Sequence, residues 1–283
     1  MIPPRFDYTR PATLAEAVGI LAADEDAKVL AGGQSLLPLL RFRLASPTSV
    51  VDLGAIAGLR GVADEGGHVR VGALTTHYEV VNDPLIAAHC GLLAQATRTV
   101  ADPAVRHRGT IGGSMAHADP AGDLPAVALA LAAEFLVTGP GGDRSVPAAE
   151  FFVDYLTTAL EPGEVLTAIR IPKLDGWSFH YEKFSRTAQA WAIVGVAAAV
   201  RRVNGDITEA RVGLTNMGTT PVRADSVESA CRGIPAQADA IHEAARSADA
   251  EADPPSDLSA QADYRRHLAR VLTGRALARA AGS

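Results

Sequence analysis

Two glycine pairs carry the chemistry that this sequence offers. Gly32 and Gly33 follow the apolar run Val29-Leu30-Ala31 and precede Gln34 and Ser35, while Gly112 and Gly113 follow Thr110-Ile111 and precede Ser114. A backbone without Cβ atoms can approach a phosphate closely and turn its N–H groups toward it, and flanking Ser, Thr and Gln side chains add donors. One Gly-Gly after a strand is most often only a turn. Two of them, each ending a strand-like run, predict a dinucleotide diphosphate held from both sides. Asp123, a little further along, adds a carboxylate able to accept from ribose hydroxyls. Neither G-x-G-x-x-G nor G-x-x-x-x-G-K-[ST] occurs, so this is not a Rossmann or P-loop pattern.

The elements that must hold these residues read from caps and periodicity. Thr13, with Glu16 three residues on, predicts a capped helix to about Ala23, followed by a strand over Lys28 to Ala31. A helix from Leu36 to Leu44 behind Ser35 and a buried strand over 49–53 complete a first unit. Alternation over 68–73 predicts a half-buried strand. Helices are expected from Thr76, over 84–96 and over 121–133, with strands at 134–138 and 165–171, and Pro172 to Trp177 as the domain joint. Beyond it the pattern gives strands at 179–185, 192–203 and 207–214, and helices near 226–231 and 236–245. A terminal amphipathic helix over 260–280 carries Tyr264, Leu268, Val271, Leu272 and Leu277 near one face. The expected class is α+β, with units over 1–55, 56–175 and 178–283.

Composition narrows the function. The 283 residues are 48% hydrophobic and 20% charged, with a formal net charge of −6. That balance belongs to a globular chain and argues against nucleic acid as a main partner, since a phosphate polymer calls for a concentrated basic surface. The arginine pairs Arg41/Arg43 and Arg265/Arg266 fit solvated helix faces. Cys90 and Cys231 are the only cysteines, and no Cys/His grouping suits zinc or an iron–sulfur cluster. A secretory-signal pattern is missing from the start, and the apolar stretches 124–137 and 190–200 are too short to span a bilayer, so a cytoplasmic setting is expected.

The run from Ala31 through Ser35 to Pro38, the run Thr110 to Ser114 with Asp123, and the ending Tyr264-Arg265-Arg266-His267-Leu268 together resemble a known family. It is that of the FAD-binding medium subunits of molybdenum hydroxylases, which includes carbon monoxide dehydrogenase and the flavin domain of xanthine dehydrogenase. The resemblance covers the whole chain. It implies a PCMH/VAO-type fold in which two α+β subdomains clasp non-covalent FAD, followed by a C-terminal sheet-plus-helices domain. It also implies that Ala31, Gly32, Gly33, Gln34 and Ser35, with Thr110, Ile111, Gly112, Gly113 and Ser114, cradle the diphosphate. By the same resemblance Asp123 meets the adenosine ribose, the main chain at Leu166 lines the adenine pocket, Val100 lies on one face of the flavin ring and Lys183 contacts the flavin. For Trp191 two places stay open: the other ring face, or the core, where large aromatics commonly sit. Ser114 departs from the family pattern, since many relatives carry the longer Asn or Asp there.

Other residues have plainer readings. Lys183 and Arg186 also fit an exposed strand face. His107 and His117 lack a partnering ligand spacing and read as structural, not as metal ligands or a covalent flavin link. No catalytic acid, base or nucleophile and no metal ligand is assigned. The resemblance implies an electron-transfer subunit: a molybdenum-pterin centre on a large partner, [2Fe-2S] clusters on a small one, and FAD here passing electrons to NAD, a quinone or oxygen within a heterohexamer. The alternatives are a stand-alone FAD-dependent oxidase or dehydrogenase, and a nucleotide-binding or assembly protein without a redox role.

Overall fold

In the computed structural model, residues 2–282 are described. The first unit is a three-stranded parallel sheet of β1 (Asp7–Thr9), β2 (Lys28–Leu30) and β3 (Ser49–Asp52), in the order β1-β3-β2. Helix α1 (Leu14–Ala23) begins where expected, the Thr13 hydroxyl accepting the Glu16 N–H at 3.2 Å. Its Ala17, Val18 and Leu21 bury against Val51 and Leu53. Helix α2 (Leu36–Phe42) follows the first glycine pair and ends at Arg43, which adopts a left-handed φ of 58°.

The second unit is an antiparallel sheet with helices on one face. Strands β4 (Val62–Asp64) and β5 (His68–Gly72) lead into six helices: α3 (His77–Asn82), α4 (Pro84–His89), α5 (Gly91–Arg98), α6 (Pro103–Arg106), α7 (Ile111–His117) and α8 (Asp123–Ala130). After them come β6 (Glu134–Gly139), β7 (Gly142–Pro147), the short helix α9 (Ala148–Phe151), the hairpin of β8 (Phe152–Asp154) and β9 (Thr157–Thr158), and β10 (Val165–Pro172). The order β4-β5-β10-β6-β7 puts β10 in the middle. Val71, Phe135 and Ile169 from the sheet meet Leu92, Leu93, Leu124 and Leu131 from the helices in one core.

Two expectations change here. The helix expected over 84–96 is two helices, broken at Cys90, whose φ of −132° and ψ of 39° are not helical. The second glycine pair does not end a strand. It forms the first turn of α7, capped by Thr110, whose hydroxyl accepts the Gly113 N–H at 3.1 Å.

The C-terminal unit is a second antiparallel sheet of β11 (Trp177–Phe184), β12 (Val194–Val203), β13 (Asp206–Thr215) and β14 (Val222–Arg223), with β15 (Ile234–Pro235) added to β13. Helices α10 (Asp225–Ala230), α11 (Ala238–Ala244) and the long α12 (Ala262–Ala281) accompany it. Residues 194–200 of β12 are buried on both faces. Val194, Val196, Ala198 and Val200 join Leu268, Leu272 and Leu277 of α12, whereas Ala197 faces the core of the second unit. Alternation of side chains along a strand makes this possible, one strand serving two cores. On α12 the expected apolar face is altered: Tyr264 is exposed, and Arg265, expected on a solvated face, has no exposed surface at all.

Candidate functional site

The two glycine segments meet. A Cβ on Gly32 would lie 2.2 Å from the Arg108 carbonyl oxygen and 2.7 Å from the Gly109 Cα, so the first loop touches the backbone leading into α7 and only glycine allows it. Between these segments and the C-terminal unit opens a cleft of about 490 Å³. Ala31, Gly32, Gly33, Gln34, Ser35, Val100, Thr110, Gly113, Ser114, Asp123, Lys183 and Trp191 all line it.

Within the first loop, Gly33 adopts φ +73°, a conformation that a side chain would strain. This bend carries the chain from β2 into α2 and leaves the main-chain N–H groups of Gly32, Gly33, Gln34 and Ser35 without a protein acceptor. The Ser35 hydroxyl makes no capping bond to α2 either. A concave run of unpaired N–H donors beside a cleft is an anion-binding surface.

The second segment is built differently. Ile111 N–H donates to Thr75 O at 3.0 Å, Gly112 N–H to Ala73 O at 2.8 Å and Ser114 N–H to Thr110 O at 3.1 Å. Ile111 and Gly112 are buried away from the cleft, contrary to the expectation that both touch a diphosphate. A Cβ on Gly112 would meet the Ala73 Cβ at 2.5 Å, so this glycine is required by packing against the end of β5. Only Thr110, Gly113 and Ser114 of this segment reach the cleft.

One wall is set by Val100 and Ala101. Ala101 has φ +43°, uncommon for a residue with a Cβ, and Arg106 holds the bend by donating from Nη1 to Val100 O at 2.8 Å and Ala101 O at 3.1 Å. Beside this wall stands a buried polar cluster. Asp123 Oδ1 accepts from the Tyr181 hydroxyl at 2.6 Å and Oδ2 from Lys183 Nζ at 2.8 Å, while Nζ also donates to Thr99 O at 3.1 Å. Side-chain exposures of 7% for Lys183 and 3% for Asp123 remove the reading of Lys183 as an exposed strand face. Two of the three ammonium protons are thereby committed, and one is left for the cleft. Burial raises the Asp123 carboxyl above its ordinary range, with the Lys183 charge and the two hydrogen bonds pulling the other way; burial, then the Asp123 charge, pushes the Tyr181 phenol well up. Asp123, expected to meet a ribose, lines the cleft with its carboxylate engaged by Tyr181 and Lys183, where it fixes Lys183.

Trp191 is 57% exposed and lines the cleft, so it is not a core residue. Leu166 stands apart: it is a buried residue of β10, opposite Val137 of β6, and does not line the cleft.

Residues not singled out from the sequence complete the wall. His77 opens α3 and is almost wholly buried, its Nδ1 sealed without a partner, and burial followed by the Arg106 charge lowers its pKa to about 4. It is therefore neutral at ordinary pH. Its ring packs on Gly109, where a Cβ would meet His77 Cδ2 at 2.9 Å. Nothing in the residues around His77 marks it in the sequence. Tyr181 was legible, since a strand places Tyr181 and Lys183 on one face. His117 and Asp119 also line the cleft, 3.9 Å apart. Among the described residues no cluster of His, Cys, Asp and Glu suits a metal ion, and no helix is long and apolar enough to cross a membrane.

Comparison with known proteins finds two family models along the chain. The family described as FAD binding domain in molybdopterin dehydrogenase matches residues 4–174, and the CO dehydrogenase flavoprotein C-terminal domain matches 179–280. The carbon monoxide dehydrogenase medium chain of Hydrogenophaga pseudoflava is 40% identical over 279 residues, 98% of this chain and 97% of that protein. The nicotine 6-hydroxylase medium subunit of Paenarthrobacter nicotinovorans is 34% identical over 278 residues, covering 98% of each. Among solved structures, carbon monoxide dehydrogenase from Hydrogenophaga pseudoflava superposes with a TM-score of 0.96 at 42% identity, covering 100% of this chain and 99% of that one. Quinoline 2-oxidoreductase from Pseudomonas putida 86 does so with 0.96 at 35% identity and the same coverage. The chain belongs to the FAD-binding medium subunits of the molybdenum hydroxylase family, the flavoprotein subunits of oxidoreductases.

Proposed function

We propose that this chain is the flavin relay of a three-subunit complex, receiving electrons from [2Fe-2S] clusters of a small partner and handing them to an external acceptor. Substrate would be oxidised at a molybdenum-pterin centre on a large partner, in a cytoplasmic heterohexamer. The observation that carries the reading is the run of unpaired N–H groups from Gly32 to Ser35 in the one cleft that Lys183 and an exposed Trp191 also line.

The residues present fit FAD. Four unpaired main-chain donors match a diphosphate. The apolar wall at Val100, Ala101 and Val105 and the half-exposed indole of Trp191 match the two faces of a flat ring, and the remaining Lys183 proton matches a ring carbonyl. Bound there, FAD takes electrons singly or in pairs, which suits a junction between one-electron and two-electron carriers.

The protein's share is to hold and orient. Gly33 turns its donors inward, the Asp123–Tyr181 pair holds Lys183 in one place, and the Arg106 bonds keep Val100 against the ring. Trp191, half exposed beside the cleft, offers its indole to the other face. With no acid or base assigned in the cleft, proton and electron traffic is left to the cofactor and its partners.

The test is reduction of the flavin in two preparations. In the purified complex, substrate is expected to bleach the visible flavin bands; in the isolated FAD-loaded chain it should not. A flavin reduced by an organic substrate in the isolated chain would instead favour a stand-alone dehydrogenase.

A further inference from the structure

Among the described residues Arg265 is the largest side chain with no exposure, and the functional reading above gives it no task. A buried guanidinium is costly unless well paired. Its pairing is partial: Nη2 donates to Asp257 Oδ2 at 2.7 Å, Asp257 being itself half exposed, and Nε has no partner. Its other bond runs from Nη1 to the carbonyl oxygen of Ile193, two residues beyond Trp191.

That segment is pinned from several sides. Asn216 Nδ2 donates to Ala192 O at 2.8 Å, and the Asn216 N–H donates to Pro120 O at 2.8 Å, next to Asp119 in the cleft wall. Ile193 N–H donates to Phe184 O at 2.8 Å, closing the loop that carries Gln189, Ala190 and Trp191 into the cleft. Trp191, by contrast, is mostly exposed, so packing does not fix its ring. The indole stands where its main chain puts it.

We propose that Arg265 is a positioning residue for the flavin site: from the terminal helix it fixes the main chain beside Trp191 and so sets where the indole stands at the cleft mouth. The C-terminal helix thereby tunes a cofactor it does not touch. This rests on the reading that the cleft holds FAD with Trp191 over the ring. A stability role alone would leave the flavin's surroundings unchanged, and that separates the two.

The experiment uses the FAD-loaded full chain with the variants R265M, W191A, the double variant and D257N. R265M is expected to keep FAD stoichiometry, to shift the visible flavin spectrum toward that of W191A, and to add no further shift in the W191A background. D257N, which leaves the guanidinium in place and removes its charged partner, gives a smaller shift in the same direction. A folded R265M with the wild-type spectrum, or one that shifts it equally without Trp191, overturns the proposal. If R265M does not fold, D257N decides, and an unchanged spectrum overturns it. A wild-type chain that takes up no FAD would overturn the functional reading instead.

Discussion

The two glycine pairs look alike in sequence and do different work. Around Gly32 and Gly33 the backbone lines the cleft and leaves its N–H groups unpaired; around Gly112 and Gly113 the equivalent groups are bonded to Ala73, Thr75 and Thr110 inside the protein. On the proposed reading the first segment is a contact surface, while the second is mainly a frame that lends only Thr110, Gly113 and Ser114 to the cleft. Glycine is required in both, but by close approach of Gly32 to the Arg108–Gly109 backbone and a positive φ at Gly33 in one, and by packing of a helix on a neighbouring strand in the other. A shared motif therefore does not imply a shared role.

Substitutions on the frame side should cost stability first. Asp123→Ala would leave Lys183 buried without its counter-charge, an effect of roughly 3–5 kcal/mol when a buried pair is broken. Thermal melting is expected to fall steeply, with FAD lost as a consequence; a variant that melts like the wild type would show that the cluster is not structural. Gly112→Ala drives a methyl into Ala73, and overpacking of this kind costs about 1–3 kcal/mol. It should lower the melting point of the chain even without cofactor.

Gly33→Ala sharpens the contrast from the other side. Holding a non-glycine residue left-handed costs roughly 1–2 kcal/mol, so FAD affinity is expected to drop about tenfold through a displaced donor run. The ratio of the two effects is the measurement: if Gly112→Ala weakens FAD binding without touching apo-protein melting, the division between frame and surface fails.

The smallest effect is in pH. His77 is held neutral with a pKa near 4, while an unfolded histidine titrates near 6.5. The unfolded state then binds more protons between these values, so this group's contribution to stability is complete above about pH 6.5 and is lost as pH falls through that range. Between pH 7 and 5.5 the loss is about 1 kcal/mol. His77→Asn should flatten that limb of the stability profile, and an unchanged limb would remove His77 as its source.

Much of this was legible in the residues. Thr13 and Thr76 announce their helices with hydroxyl caps, and alternation marks β5, because these signals are local. The first loop could be read because Gly33 is used for its own backbone freedom. The second was misread because glycine is a poor helix former, and α7 is held by bonds to residues some forty positions earlier that no local pattern shows. Arg265 defeated the periodicity argument in the same way: its place inside α12's packing follows from a carbonyl far away in sequence, at Ile193. Asp123 and Lys183 could each be found, but not their pairing across the domain joint, and exposure of Trp191 depends on a loop whose anchors lie in the C-terminal unit.

The central claim is tested most directly by following the visible flavin absorption of the purified complex during anaerobic addition of its substrate, beside the isolated FAD-loaded chain. A relay predicts bleaching in the complex and none in the isolated chain. Bleaching of the isolated chain, or a complex whose flavin stays oxidised while substrate is consumed, would contradict it.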